Sequence, residues 1–178
     1  VKYKFTKNYI KEYKNVVPLE LAKKIIYQKD LEFNQATTGG GKINSHRNCL
    51  IKKLDPLFNS EINNIFMKVF KLYIKEFRFF DSVKGDTTGW DHVLYLGERS
   101  QEYKEHVDFS NNREPRTLTC SLILNDDYKG GDFSFFEGEY VIRKKECSAI
   151  VFPSNFCFPH AVTPVTQGDR HVIITWLR

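Results

Sequence analysis

Between Asn59 and Phe77 the apolar residues recur at steps of three and four: Ile62, Ile65, Phe66, Val69, Phe70, Tyr73, Ile74 and Phe77. That spacing predicts an amphipathic helix whose aromatic stripe packs on a sheet, with Ser60 as its N-cap. A second helix is predicted over Pro18 to Phe33, where Leu19, Leu21, Ile25 and Ile26 lie near helical spacing behind a proline suited to a first turn. Residues 37–45 contain three consecutive glycines and predict a loop, a candidate lid. The opening Val1-Lys2-Tyr3-Lys4-Phe5 alternates like a strand.

From Trp90 onward the period changes. Short runs at 92–95, 117–124, 132–136, 140–142, 149–152 and 171–176 are separated by turn signals such as Gly130-Gly131. Many short strands after two helices predict an α+β chain, mainly β, with a double-sheet barrel flanked by helices. One domain is expected over 1–178, with 1–89 mostly helical support and lid loop and 90–178 supplying the barrel strands.

Composition narrows the function. With 41% hydrophobic and 15% aromatic residues, the chain can bury a real core, which argues against disorder. The net charge of +5 comes from scattered basic residues, so no basic stripe with interleaved aromatics points to nucleic acid. No apolar run of about 18 residues suggests a membrane partner, and no secretory signal opens the chain. Cys49, Cys120, Cys147 and Cys157 lie far apart without a CxxC pair, unlike a zinc site or a disulfide framework. Buried thiols at Cys120 and Cys147 and a reducing, cytoplasmic setting are the expectation.

The chemistry concentrates late in the chain. In an extended strand, His106 and Asp108 point to the same face, half of a metal site. A His-x-Asp pair alone is a common surface pattern; His160 is the candidate third ligand. Two histidines and a carboxylate make the facial set of non-haem Fe(II) oxygenases, with three coordination positions open. Ten residues after His160, Arg170 opens an apolar strand and is placed to bind a carboxylate through two parallel hydrogen bonds. Alternation puts Arg170, Val172, Ile174 and Trp176 on one face, and His171, Ile173 and Thr175 on the other. His46, His92 and His171 are therefore expected to be structural.

Five segments occur in a family order: Tyr103 to Asp108, Arg116 to Asn125, Gly130 to Phe135, Ile150 to Ser154, and His160 to Arg170. On these, the chain resembles the 2-oxoglutarate/Fe(II)-dependent dioxygenases of the prolyl 4-hydroxylase-like group, over roughly Trp90 to Arg178. The resemblance implies a double-stranded β-helix (jelly-roll, cupin-like) fold. It implies His106, Asp108 and His160 as iron ligands, Arg170 as partner of the far carboxylate of 2-oxoglutarate, and Tyr95 as a further cosubstrate contact. Tyr95 stands two residues farther from the His-x-Asp pair than is usual, and Ile123 falls where some relatives carry a second tyrosine. Tyr103, Arg116 and Trp176 match positions that shape the substrate side. Core packing is the alternative for the two aromatics, and a surface ion pair for Arg116.

The implied reaction uses Fe(II), 2-oxoglutarate and O2, with ascorbate as a candidate auxiliary. It couples oxidative decarboxylation of 2-oxoglutarate to hydroxylation of a prolyl residue in a peptide or protein. Asp108, where a small residue would leave room for halide, favours hydroxylation. Phe133, Phe135, Phe152 and Trp176 are candidate walls of a dry pocket. The same chemistry on a free amino acid, another side chain or a nucleobase is the alternative, and a non-catalytic cupin-like binding module is a third reading. Specificity is expected in the loops 36–46, 80–89, 97–102 and 110–115.

Overall fold

The computed structural model describes residues 4–29, 32–38, 41–80, 86–109 and 115–178. In chain order its main elements are β1 (Lys11–Tyr13), α1 (Leu19–Ile26), β2 (Asn34–Gln35), β3 (Arg47–Asn48), β4 (Leu50–Lys53) and α2 (Asn59–Glu76). Then follow β5 (Asp91–Leu96), β6 (Glu102–His106), β7 (Leu118–Ile123), β8 (Lys129–Gly130), β9 (Phe133–Phe135) and β10 (Tyr140–Ile142). The last are β11 (Ser148–Pro153), β12 (His160–Val162), β13 (Val165–Gln167) and β14 (Asp169–Leu177).

A seven-stranded sheet has the order β1-β11-β7-β14-β5-β4-β2, and a five-stranded sheet the order β10-β9-β12-β6-β3. The two sheets form the double-stranded β-helix expected from the sequence. Their facing sides share a core that includes Val93, Tyr95, Phe133, Phe135, Phe152 and Val172. The outer face of the larger sheet is covered by α1 and α2. Ile62, Phe66, Val69, Phe70 and Tyr73 of α2 are buried there with Leu122, Val151 and Ile173. Each such side chain contributes roughly 1.5–3 kcal/mol by leaving water.

The alternation along β14 holds. Val172 joins the inner core while Ile173 and Leu177 join the helix-covered one. β14 lies centrally, paired with β5 and β7, so both its faces are covered.

Several local expectations differ. The first helix ends at Ile26, not Phe33. Its buried positions stop at Ile25, Tyr27 is 75% exposed, and the Phe33 ring instead meets His92 edge-on at 5.0 Å. Ser60 lies inside the first turn of α2. The chain already turns helically at Pro56–Phe58, where Asp55 accepts from the Leu57 N–H at 2.9 Å and does the capping. Of the strand expected at 1–5, residues 1–3 fall outside the described residues, and Lys4–Phe5 is a turn. The mostly helical reading of 1–89 misses four short strands: β1, β2 and β4 extend the larger sheet and β3 the smaller. In the 37–45 loop, Thr38 bridges to Lys42, and residues 39–40 lie outside the described residues. So do 81–85 and 110–114 of the expected specificity loops. Among the described residues, no helix is long and apolar enough to cross a membrane.

Candidate active site

His106 ends β6 and His160 begins β12, and the two residues sit opposite each other in the antiparallel ladder. Asp108 follows two residues past the strand end. One ligand atom from each of the three lies within 4.8 Å of the others. The Nε2 atoms of His106 and His160 are each 3.6 Å from an Asp108 carboxylate oxygen, one from Oδ1 and the other from Oδ2.

The tautomers follow from the main chain. His106 Nδ1 faces the Lys104 carbonyl at 2.8 Å, and His160 Nδ1 faces the Phe158 carbonyl at 3.0 Å. A carbonyl only accepts, so each Nδ1 carries the proton and each Nε2 offers its lone pair to the shared point. Burial pulls the His160 imidazole down to about 4, against the opposing pull of Asp108, so the ring is neutral at neutral pH. Burial pushes the Asp108 carboxyl up. The His160 and His106 imidazoles outweigh it and hold the group well below the usual carboxylate range.

Asp108 is also fixed from behind. Its Oδ2 accepts from Thr119 Oγ1 at 2.8 Å, and Thr119 Oγ1 lies 2.8 Å from Ser154 Oγ. Thr119 has one proton and gives it to the carboxylate, so Ser154 donates to Thr119. Both hydroxyls are buried. On the other flank the Tyr103 ring stacks on His106 at 3.5 Å with 13° between planes.

Arg170 lies farther along β14 and is only 1% exposed. Its guanidinium sits over the Tyr95 ring at 4.9 Å and the Phe133 ring at 5.2 Å. Nε, Nη1 and Nη2 have no hydrogen-bond partner among the described residues. Gly131 makes room for it: at φ +66 a Cβ there would stand 2.9 Å from Arg170 Cδ. Nearby, the Tyr128 and Ser121 hydroxyls are also buried, beside Arg170 in the first case and lining the same pocket in the second. Burial pushes the Tyr128 phenol up, against the Arg170 charge beside it.

One pocket of about 560 Å³, its open mouth included, joins these parts. The expected residues Tyr95, Tyr103, His106, Asp108, Arg116, His160, Arg170 and Trp176 all line it. Phe133 lines it too, whereas Phe135 and Phe152 sit behind His160, with ring centroids 5.7 and 4.6 Å away. Arg116 stacks on Trp176 with its Cζ 3.6 Å from the ring, and donates to the Asp108 main-chain carbonyl at 3.4 Å. Among the described residues it forms no ion pair.

Away from the pocket, His92 Nε2 meets His171 Nδ1 at 3.0 Å, and His46 is exposed. The sequence reading missed Arg47, Ser121, Thr119 and Ser154. Arg47 arrives by β3 pairing with β6 and carries no motif.

Comparison with known proteins adds to this. Residues 92–178 match the family model of the 2OG-Fe(II) oxygenase superfamily. The chain is similar to a PKHD-type hydroxylase of Alteromonas mediterranea, 37% identical over 90 residues, which cover 44% of this chain and 39% of that protein. A PKHD-type hydroxylase of Synechococcus sp. is 34% identical over 94 residues, covering 48% and 41%. The matched stretch thus spans about two-fifths of these relatives' length. Among solved structures, a prolyl-4-hydroxylase from Pseudomonas putida superposes with TM-score 0.71 at 19% identity, over 96% of this chain and 92% of that one. A prolyl hydroxylase from Trichoplax adhaerens, in complex with a hypoxia inducible factor oxygen degradation domain peptide fragment, gives 0.75 at 18% identity, over 99% and 85%. At these identities the likeness is one of fold.

Proposed function

From the match of residues 92–178 to the 2OG-Fe(II) oxygenase superfamily model and the geometry of the pocket, we propose that the chain is a 2-oxoglutarate- and Fe(II)-dependent hydroxylase acting on a prolyl residue of a peptide or protein. The observation that carries this is the pairing of two incomplete sites in one pocket. Two imidazole lone pairs and a carboxylate converge on a point, and a buried guanidinium farther along has every nitrogen free. A divalent metal would complete the first, and the carboxylate of a dianion would complete the second.

The donor set suits Fe(II), since two neutral imidazoles and one carboxylate leave three adjacent positions for other ligands. When bound, the iron with 2-oxoglutarate and O2 supplies oxidative decarboxylation coupled to transfer of one oxygen atom to a substrate C–H bond. The protein's part is positioning. His106, Asp108 and His160 hold the metal. The Lys104 and Phe158 carbonyls keep both Nε2 atoms unprotonated. The Ser154–Thr119 relay keeps Asp108 ionised and aimed.

Arg170 receives the far carboxylate in a fork of two hydrogen bonds, beside Tyr95. In a water-poor site such a charge-assisted pair is stronger than at a surface. Phe133, Val172 and Ile174 dry the space between. Tyr103, Arg116 and Trp176 face the incoming substrate.

Residues 1–178 act as one domain in this reading, because β1 to β4 of the first half complete both sheets of the second. A cytoplasmic setting belongs to it as well, supported by four free thiols, three of them buried. A peptide substrate is supported by the peptide held in the Trichoplax structure.

The test is succinate release together with a mass-spectrometric search for one added oxygen, on a library of proline-containing peptides with Fe(II) and 2-oxoglutarate. Hydroxylated peptide with matched succinate is expected. Succinate without any oxidised prolyl peptide would move the target to another class, and no succinate under any condition would overturn the oxygenase reading.

A further inference from the structure

Besides Arg170, two more guanidiniums, those of Arg47 and Arg116, line the pocket. Arg47 lies with Cζ 5.2 Å from the Tyr103 ring centroid and donates from Nη1 to the Thr37 carbonyl at 2.9 Å. Its Nε is buried without a partner. Arg116 lies against Trp176 and gives one long hydrogen bond, at 3.4 Å, to a main-chain carbonyl. Neither forms an ion pair among the described residues. Both line the same pocket as Arg170.

Most of the polar groups around them are neutral. Burial raises the pKa of Cys49, Tyr95 and Tyr103, so all three stay neutral at neutral pH. Among the described residues, Asp108 is the one carboxylate lining the pocket, and Thr119 donates to it while both histidines flank it. Three arginines thus face one carboxylate. A ferrous ion and the 2-oxoglutarate dianion would cancel each other, which leaves the mouth positive. The cosubstrate cannot fill both ends. Arg116 stacks on Trp176, and Trp176 stands six residues along β14 from Arg170, roughly 20 Å of strand.

We propose that Arg47 and Arg116 form a clamp for a carboxylate that the substrate carries beside the carbon to be hydroxylated. The clamp rests on the hydroxylase reading only in setting the carboxylate beside the reacting carbon. The chemistry suits a planar anion: each guanidinium sits over an aromatic ring, at 5.2 Å for Arg47 and 3.6 Å for Arg116, and a guanidinium offers a carboxylate a two-bond fork. The carboxylate has two sources, an acidic side chain next to the target residue or the α-carboxylate of a chain end or free amino acid.

Binding of labelled peptides to the purified chain, followed by calorimetry with and without added Fe(II) and 2-oxoglutarate, tests this. One pair places Glu or Gln next to proline; a second ends in proline with a free or an amidated carboxyl; a third probe places phosphoserine next to proline. The carboxylate member of one pair is expected to bind at least about tenfold tighter, on the scale of one charge-assisted contact. The first pair identifies a side chain as the source, the second a chain end.

In Arg47→Gln and Arg116→Gln the difference should fall below about twofold, while Arg47→Lys, which keeps the charge, retains part of it. Circular dichroism checks that each variant is folded, and Arg47→Lys against wild type carries the test if a Gln variant is not. Equal binding within both pairs overturns the clamp, and so does tight binding of the phosphoserine probe alone. Hydroxylation of amide and carboxylate peptides alike removes the clamp and leaves the oxygenase standing. Carboxylate-selective binding without hydroxylation keeps the clamp and counts against the oxygenase.

Discussion

Arg170 and His171 are neighbours on one strand, and the faces they serve treat buried polarity in opposite ways. On the helix-covered face, His171 meets His92 at 3.0 Å, and Thr175 Oγ1 donates to the Gly89 carbonyl at 2.8 Å. On the pocket face, three Arg170 nitrogens and Trp176 Nε1 have no partner among the described residues. A buried polar group left unpaired costs about 1–3 kcal/mol, more for a charged one. Along β14, the helix-face side chains His171 and Thr175 find partners in the fold, and the pocket-face Arg170 is left for a ligand in the proposed reading. Partner satisfaction therefore separates structural from functional polarity within a single strand.

The most severe way to break the pocket face is at the metal ligands. In His106→Ala or Asp108→Ala, succinate release from 2-oxoglutarate is expected to vanish. Wild-type release by either variant would refute the ligand assignment.

Arg170→Met sharpens the contrast. Truncating one partner of a buried charge pair costs about 2–5 kcal/mol, so the apparent KM for 2-oxoglutarate should rise by roughly 30-fold or more. Without 2-oxoglutarate the thermal midpoint should stay level or increase, because an uncompensated buried cation is gone. An unchanged KM would place the carboxylate elsewhere, and a marked drop in midpoint would make Arg170 structural. Thr119→Val should weaken metal binding about 10–100-fold in competition dialysis, the usual effect of losing an outer hydrogen bond to a ligand.

The helix face should respond in stability instead. Ile173→Ala is expected to cost about 2–5 kcal/mol in denaturant unfolding, with the KM for 2-oxoglutarate within about twofold of wild type. A large KM change there would erase the distinction between faces.

The smallest effect is the pH dependence of the histidine pair. Burial, then His171 and Lys52, pull the His92 imidazole from 6.5 down to about 3. Burial lowers His171 too, against Asp169 and Asp127. Below about pH 6.5 the unfolded chain binds more protons than the folded one. The pair's contribution is therefore fully present above that pH and is lost as the pH falls toward 3. His92→Phe should flatten the thermal midpoint between pH 6.5 and 4, and an unaltered slope would assign the acid sensitivity to other groups.

What could be read along the chain was local and periodic. Arg170, Val172, Ile174 and Trp176 share a face because strand alternation is a two-residue rule, and His106 and Asp108 follow the same rule. The stripe of α2 is a helical rule of the same kind. The residues that stayed hidden depend on pairing between distant segments. Arg47 reaches the pocket because it pairs with Tyr103, and Thr119 and Ser154 meet because β7 pairs with β11. The carbonyls of Lys104 and Phe158 have no side-chain signature at all. Phe33 looked like the end of a helix because its apolar character does not reveal that it packs on His92.

The most direct measurement is an anaerobic calorimetric titration of Fe(II), then 2-oxoglutarate, into the wild-type chain, Asp108→Ala and Arg170→Met. Wild type should take up one ferrous ion per chain and then 2-oxoglutarate. Asp108→Ala should take up neither, and Arg170→Met should bind iron normally and 2-oxoglutarate weakly. Iron binding by wild type no tighter than by Asp108→Ala would contradict the metal site, and with it the reading of the pocket.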